Sequence, residues 1–384
     1  MIKTMLMVSL AACVSASCSK SEPAKPVESK SDELRTPSAS ASELRTRSKA
    51  LFAPLPAVME SPTRKLTPEK IELGHKLYFD TRLSRGQELS CASCHDLNGY
   101  GIDTRPEAIK EGRSFGHRKQ FGERNSPSTY NAALHLAQFW DGRAQDVEEQ
   151  AKGPILNPVE MTMADETSVL AILKSIPGYE PLFKAAFPGD AAPVSFENLA
   201  QAIGAYERTL VTPGRFDKFL AGDDMALGPE ELEGFAAFMD TGCIACHIGP
   251  GVGGGMFQKL GLIKPYPSKD PGRAAITKNA ADTGFFKVPS LRNAAKTAPY
   301  FHDGSIATLD QAVSIMAEHQ TGSGKLPEAK VKQIVTFLAS LTGDIPTDKI
   351  AKPEMPANGP KTPAGDPNWA PAPAPSTAKA PAAR

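Results

Sequence analysis

Two stretches hold residues whose types and spacing point to a definite chemistry. "LSCASCHDLNGYG" contains Cys91, Cys94 and His95, and "TGCIACHIGPGVGGG" contains Cys243, Cys246 and His247. In C-x-x-C-H both thiols can form thioether bonds to the vinyl groups of a haem while the adjacent imidazole ligates its iron. A zinc site would call for further Cys or His nearby, and a thiol–disulfide motif has no use for the His. The pattern occurs twice, 152 positions apart (243 minus 91). Two covalent c-type haems are therefore predicted, with His95 and His247 as proximal ligands.

The sixth ligand decides what such a haem does, because a Met on the far side closes the iron and raises its potential. Met316 lies 69 residues beyond His247, and Met161 lies 66 beyond His95. Met256 is only nine beyond His247, in a Gly-rich loop, and His319 is a rival three residues after Met316. Glu160 precedes Met161, and a carboxylate beside an open haem face can shuttle protons in oxygen chemistry. A Met is more often core filler than ligand, and spacing alone leaves the roles of Met161 and Glu160 open. His75, His135 and His302 read as structural or surface residues.

These residues need elements to hold them. "LTPEKIELGHKLYFDT" from Leu66 is echoed by "LGPEELEGFAAFMDT" from Leu227, at an offset of 161 for Pro68/Pro229 and Glu69/Glu230. Pro followed by Glu suits a helix start, where the missing N–H costs nothing and the dipole favours acid. Each such helix leads into a C-x-x-C-H. Further helices are expected at "DETSVLAILKSI", "FENLAQAIGAYERTL", "TLDQAVSIMAEHQ" and "PEAKVKQIVTFLASL", and strand signals are weak. The predicted fold is mostly α, with two cytochrome c-like haem domains in tandem.

Lys+Arg and Asp+Glu are equal at 43 in a chain of 384 residues, so nothing suggests a nucleic-acid partner. Four of the six Cys belong to the haem motifs, and Cys13 and Cys18 lie in the N-terminal segment. "MIKTMLMVSLAACVSASCSK" reads as an export signal over 1–18, with "LAAC" resembling a lipoprotein signal that acylates Cys13. The expected layout continues with a polar tether over 19–60 and haem domains over 61–212 and 213–345. The last helix of the second domain is in a position to pack on the first. A Pro/Ala-rich disordered tail is expected over 346–384, with Trp369 packing on nothing.

"SFGHRKQFGERNSPSTYNAALHLAQFWDGRAQDVEEQAKGPILNPVEM" and "VPSLRNAAKTAPYFHDGSIATLDQAVSIM" strongly resemble the bacterial di-haem cytochrome c peroxidases, from about residue 60 to 345. The resemblance implies a peroxidatic haem on Cys91, Cys94 and His95, with His117 as its distal ligand in the resting form. It implies an electron-transfer haem on Cys243, Cys246 and His247, with Met316 as distal ligand. Glu160 takes the place of the acid–base carboxylate, Gln150 of its pocket neighbour, and Trp140 of the ring between the haems. Asn125, Thr297 and Pro299 match calcium ligands. Hydrogen peroxide would be the substrate, a small cytochrome c or copper protein the electron donor, and a periplasmic homodimer the setting, with the lipid anchor left open. A non-catalytic di-haem electron carrier is the alternative. A relative of the tryptophan-modifying di-haem enzymes is another, but those place Tyr where Met316 stands.

Overall fold

The computed structural model describes residues 40–369. Within them the helices run α1 (Ala41–Ser48), α2 (Pro68–Phe79), α3 (Cys91–Cys94), α4 (Pro106–Glu111), α5 (Val147–Leu156), α6 (Glu166–Ser175) and α7 (Tyr179–Ala186). They continue as α8 (Phe196–Glu207), α9 (Arg215–Leu220), α10 (Pro229–Asp240), α11 (Ala274–Thr277), α12 (Leu309–Met316) and α13 (Glu328–Ser340). One antiparallel pair among these residues, β1 (Phe257–Lys259) and β2 (Phe285–Lys287), sets Phe257 opposite Lys287. The chain is mostly helical, as its sequence predicts.

The echoed helices α2 and α10 both start at the predicted Pro and play the same part. Each crosses a later helix at a glycine. A Cβ on Gly74 would stand 1.8 Å from the Ala202 carbonyl oxygen of α8, and one on Gly234 would stand 2.1 Å from that of Gln333 in α13. Around the first crossing Leu73, Leu77, Tyr78, Leu199 and Ile203 form one core. Around the second, Phe235, Phe238, Ile334 and Phe337 form another. Helix α13 packs on α10.

Two expectations about the ends are corrected. Residues 40–60 are not a solvated tether. Ser40 caps α1 with a reciprocal Glu43 contact, Leu44 and Phe52 enter the second core, and Leu55 and Met59 are buried with Val211. Nor is 346–369 a free tail. It runs across the first half, where Arg82 donates to the Pro356 carbonyl at 2.8 Å and Gln87 donates to that of Pro363 at 2.9 Å. The Arg85 guanidinium sits 4.3 Å from the Trp369 ring, so Trp369 does pack. The export signal, Cys13, Cys18 and residues 370–384 lie outside the described residues. No helix among the described residues is long and apolar enough to cross a membrane.

A second internal repeat emerges once the structure is followed. "PSTYNAALHLAQFWDG" from Pro127 matches "PSLRNAAKTAPYFHDG" from Pro289 at a constant offset of 162 (289 minus 127). Asn131 and Asn293 share left-handed backbone at φ +60° and +62°, as do Phe139 and Phe301 at +64° and +70°. Bridges Gln138–Ala144 and Tyr300–Ile306 keep the same offset. So do the first residues of α5 and α12, Val147 and Leu309.

Candidate functional site

The second motif follows directly from α10. His247 Nδ1 lies 3.3 Å from the Val252 carbonyl oxygen. A carbonyl only accepts, so Nδ1 carries the proton and Nε2 keeps its lone pair for a metal. Burial, against the pull of backbone carbonyls, pushes this imidazole down to about 4 and keeps it neutral. Cys243, Cys246, His247 and Met316 line one cavity of about 540 Å³. Met316 ends α12, where a π-helical turn over Ala317–Thr321 begins. His319 turns away, with Nδ1 2.9 Å from the Lys264 carbonyl oxygen, and neither it nor Met256 is on the cavity wall.

The first motif is held by α2, whose Tyr78 hydroxyl donates to the His95 carbonyl at 3.1 Å. His95 Nδ1 faces the Gly101 carbonyl at 3.1 Å, the arrangement seen at His247, and burial lowers its pKa too. Arg105 ties the motif to the next segment by donating to Cys94 Sγ at 3.3 Å and to the Phe115 carbonyl at 2.8 Å. Two residues on, His117 Nδ1 meets the Glu88 carboxylate. Its Nε2 is buried with no hydrogen-bond partner. A free imidazole nitrogen is compatible with ligating haem iron, so His117 fits the haem, though His75 and His135 share the feature and it does not single His117 out. Gly116 lets this segment press on the Glu160 turn, since a Cβ there would lie 2.0 Å from the Val159 carbonyl oxygen. The His117 amide then donates to the Glu160 carbonyl at 2.8 Å.

All four motif thiols are free, and burial raises the pKa of each, Cys94 to about 11. A redox dithiol would be shifted the other way. Among the described residues no group of three or more His, Cys, Asp or Glu is placed to hold a metal ion. The donor set fits covalent haem at both motifs.

A cleft of about 370 Å³ is lined by Glu160, Asn157, Arg143, Pro154 and Phe139 among others, though by none of Cys91, Cys94, His95 and His117. Glu160 Oε1 accepts from Asn157 Nδ2 at 2.8 Å. Burial pushes the Glu160 carboxyl above its ordinary range, opposed by the Arg143 charge and the Asn157 hydrogen bond. Met161 points instead into the first core, at 4 % exposed, and is filler rather than a wall of the cleft. The repeat identifies the true counterpart of Met316. Subtracting 162 gives Pro154, which lines the cleft and has no ligating side-chain atom. One half thus presents a thioether where the other leaves an opening beside a carboxyl. Gln150 stands on α5, off the cleft wall, with no side-chain hydrogen bond to the described residues.

Trp140 lies on the wall of the second cavity, and Phe139 lines both spaces. The Trp140 ring meets His302, its counterpart in the repeat, edge to face at 6.4 Å. Its indole N–H donates to the Asn125 carbonyl at 2.9 Å. Asn125, Thr297 and Pro299 all line that same cavity. Asn125 Oδ1 and the Thr297 and Pro299 carbonyls accept no hydrogen bond from the described residues. Such unspent oxygens suit a hard cation. Sequence reasoning missed Glu88, Arg105, Lys287 and the cavity positions of His135 and His302. His302, Lys287 and His135 had a signal available, through the offset that pairs them with Trp140, Asn125 and Thr297.

A family model for di-haem cytochrome c peroxidase matches residues 68–225. A cytochrome c551 peroxidase of Pseudomonas aeruginosa is 46 % identical over 85 % of this chain and 94 % of its own. That of Nitrosomonas europaea is 45 % identical over 80 % of this chain and 90 % of its own. Among solved structures, a MauG-like protein associated with microbial copper homeostasis superposes with a TM-score of 0.68 at 28 % identity, over 78 % of this chain and 97 % of that one.

Proposed function

The chain belongs to the di-haem cytochrome c peroxidase family and is a cytochrome c peroxidase; on that premise we propose that its two halves are tandem haem domains with divided roles. Cys91, Cys94 and His95 hold the peroxidatic haem, with His117 as resting distal ligand. Cys243, Cys246, His247 and Met316 hold the electron-transfer haem. When bound, the haems supply the electrons and the open iron that hydrogen peroxide needs for O–O cleavage.

The protein's own part is positioning and proton movement. Hydrogen peroxide takes two electrons and two protons to become two waters. Glu160, through the Oε2 left free by Asn157, takes the proton from one peroxide oxygen and returns it to the oxygen that leaves as water. Its raised pKa brings it nearer the working pH, where a group that both accepts and donates is most effective. Gln150, off the cleft wall, takes no part in this step, and Trp140 carries electrons between the halves. The segment bearing His117 withdraws on one-electron reduction of the protein, breaking the hydrogen bond from the His117 amide to the Glu160 carbonyl and admitting substrate.

The observation that carries this reading is the asymmetry at the repeat, Met316 against Pro154 beside Glu160. Asn125, Thr297 and Pro299 bind calcium at the junction of the halves. The electron donor is a small cytochrome c or cupredoxin, and the exported chain works in the periplasm; mass spectrometry of the mature N-terminus tests for a lipid on Cys13 or Cys18. Light scattering after gel filtration tests the homodimer.

Glu160→Gln tests the mechanism. Peroxide turnover should fall by about 10²–10⁴-fold while both haems remain attached. Full activity in that variant would remove Glu160 from the reaction. A wild-type protein whose two haems stay low spin and ignore peroxide, both oxidised and half-reduced, would make the chain an electron carrier.

A further inference from the structure

The wall of the second cavity contains a cation that the proposed reaction does not use. Lys287 ends β2, is 4 % exposed, and faces the cavity lined by Cys243, Cys246 and His247. Its Nζ lies 2.8 Å from His135 Nδ1. An ammonium only donates, so His135 accepts at Nδ1 and carries its own proton on Nε2. Two N–H groups of Lys287 are left over, and among the described residues no carboxylate pairs with them. Arg292 is the other Lys or Arg on that wall, and it is spent on Asp217, with both contacts at 2.8 Å.

A buried ammonium without an anion is costly, and burial pushes that of Lys287 down to about 7. A lysine kept in such a place implies a negative partner that enters the cavity. The repeat sharpens this. Shifting by 162 carries Asn125 onto Lys287 and Thr297 onto His135. Each set draws one residue from either half, and exchanging the halves places the Lys287–His135 pair where the proposed calcium ligands Asn125 and Thr297 stand. One flank of the Trp140–His302 pair presents oxygens for a cation, and the other presents a cation of its own.

We propose that Lys287, oriented by His135, is an anion site that takes a propionate carboxylate of the haem attached at Cys243 and Cys246. The proposal rests on the haem assignment made above. A fixed positive charge at that carboxylate stabilises the reduced, less positive iron and so helps to hold this haem at high potential. Lys287 is a positioning residue and has no role in peroxide chemistry itself.

The test uses full-length, exported holoprotein. Haem content by pyridine haemochrome comes first, and fewer than two haems in the wild type would overturn the haem assignment rather than this site. Redox titration followed by visible spectroscopy then resolves the two haems in wild type, Lys287→Met and Lys287→Arg. Lys287→Met should move the equilibrium of the Met316-ligated haem about tenfold toward the oxidised form, about 59 mV, and Lys287→Arg should restore most of it. The His117-ligated haem should not move. Resonance Raman should show the propionate bending mode shifted in Lys287→Met alone. Should Lys287→Met fail to accumulate, His135→Leu and Lys287→Gln are read the same way, and both should lower the potential. Two attached haems with unchanged potential and an unchanged propionate mode would overturn the proposal.

Discussion

Glu207 closes α8 with its carboxyl buried next to the Glu148–Arg208 pair, in which Arg208 donates at 2.8 and 3.0 Å. Burial, with the Glu148 charge added and Arg208 opposing, pushes its pKa up to about 8 from an ordinary 4.5. The folded chain therefore holds a proton that the unfolded chain releases across that interval. Stability from this group is fully present below about pH 4.5 and declines as pH rises toward 8, by at most about 1.4 kcal/mol per unit. Glu207→Gln keeps the shape and removes the titration. Urea unfolding at the two ends of the interval should show wild type losing stability relative to Glu207→Gln as pH rises. Parallel behaviour of the two proteins would mean that Glu207 is ionised in the fold. Nothing in the sequence marks this residue, because its chemistry comes from neighbours 59 positions away (207 minus 148). The same is true of Glu88, which finds His117 across 29 positions. By contrast Cys91, Cys94, His95 and their later counterparts were legible, since a c-type haem motif is local.

Elements were legible where a local rule sets them. Pro and Glu at the start of α2 and α10 fixed both helices, and the 3.6-residue period found α6, α8, α12 and α13. The ends of the chain followed no such rule. Residues 40–60 are anchored by Leu44, Phe52, Leu55 and Met59, too sparse among polar residues to show a period. The stretch through Trp369 is held largely through its own carbonyls, at Glu354, Pro356 and Pro363, and a carbonyl leaves no mark in a sequence. Composition pointed to disorder, and tertiary contacts overrode it. The helix crossings are equally invisible until seen, yet they give a sharp expectation. Gly74→Ala would set a Cβ 1.8 Å from the Ala202 carbonyl oxygen. Backbone cannot rotate aside as a side chain can, so α2 and α8 must separate, at a cost of about 1–3 kcal/mol. Denaturant unfolding measures it, and a Gly189→Ser control sits on an open loop with nothing within 4 Å of its Cβ, though at a φ of +89° that adds its own strain. A Gly74→Ala protein as stable as wild type would show that the crossing is looser than it stands.

At the scale of the whole molecule the two halves are joined by contacts that mirror one another. The Asn125 amide donates to the His302 carbonyl and the Lys287 amide to the Trp140 carbonyl, each at 2.8 Å. An offset of 162 exchanges one bond for the other, so each half completes the other's loop. The sequence repeat was only half legible, because the offset runs 161 at the helices, 152 at the haem motifs and 162 beyond them. Unequal insertions hide a regular architecture. The centre of this arrangement is Thr212, fully buried, whose Oγ1 accepts from Asn131 Nδ2 at 2.8 Å and from Asn293 Nδ2 at 2.9 Å. Those two Asn are repeat mates, and each turns its loop at a left-handed residue. Thr212→Val replaces the hydroxyl by a methyl of similar volume and leaves two buried amides short of an acceptor. Each unsatisfied donor costs about 1–3 kcal/mol, so this one change should destabilise the molecule by roughly twice that of an ordinary buried hydrogen-bond deletion. Thr212→Ser keeps the acceptor and should stay close to wild type. Urea unfolding of the three proteins decides the matter. If Thr212→Val and Thr212→Ser prove equally stable, the halves are held by their separate cores and reciprocal backbone bonds, and the shared hydroxyl is incidental.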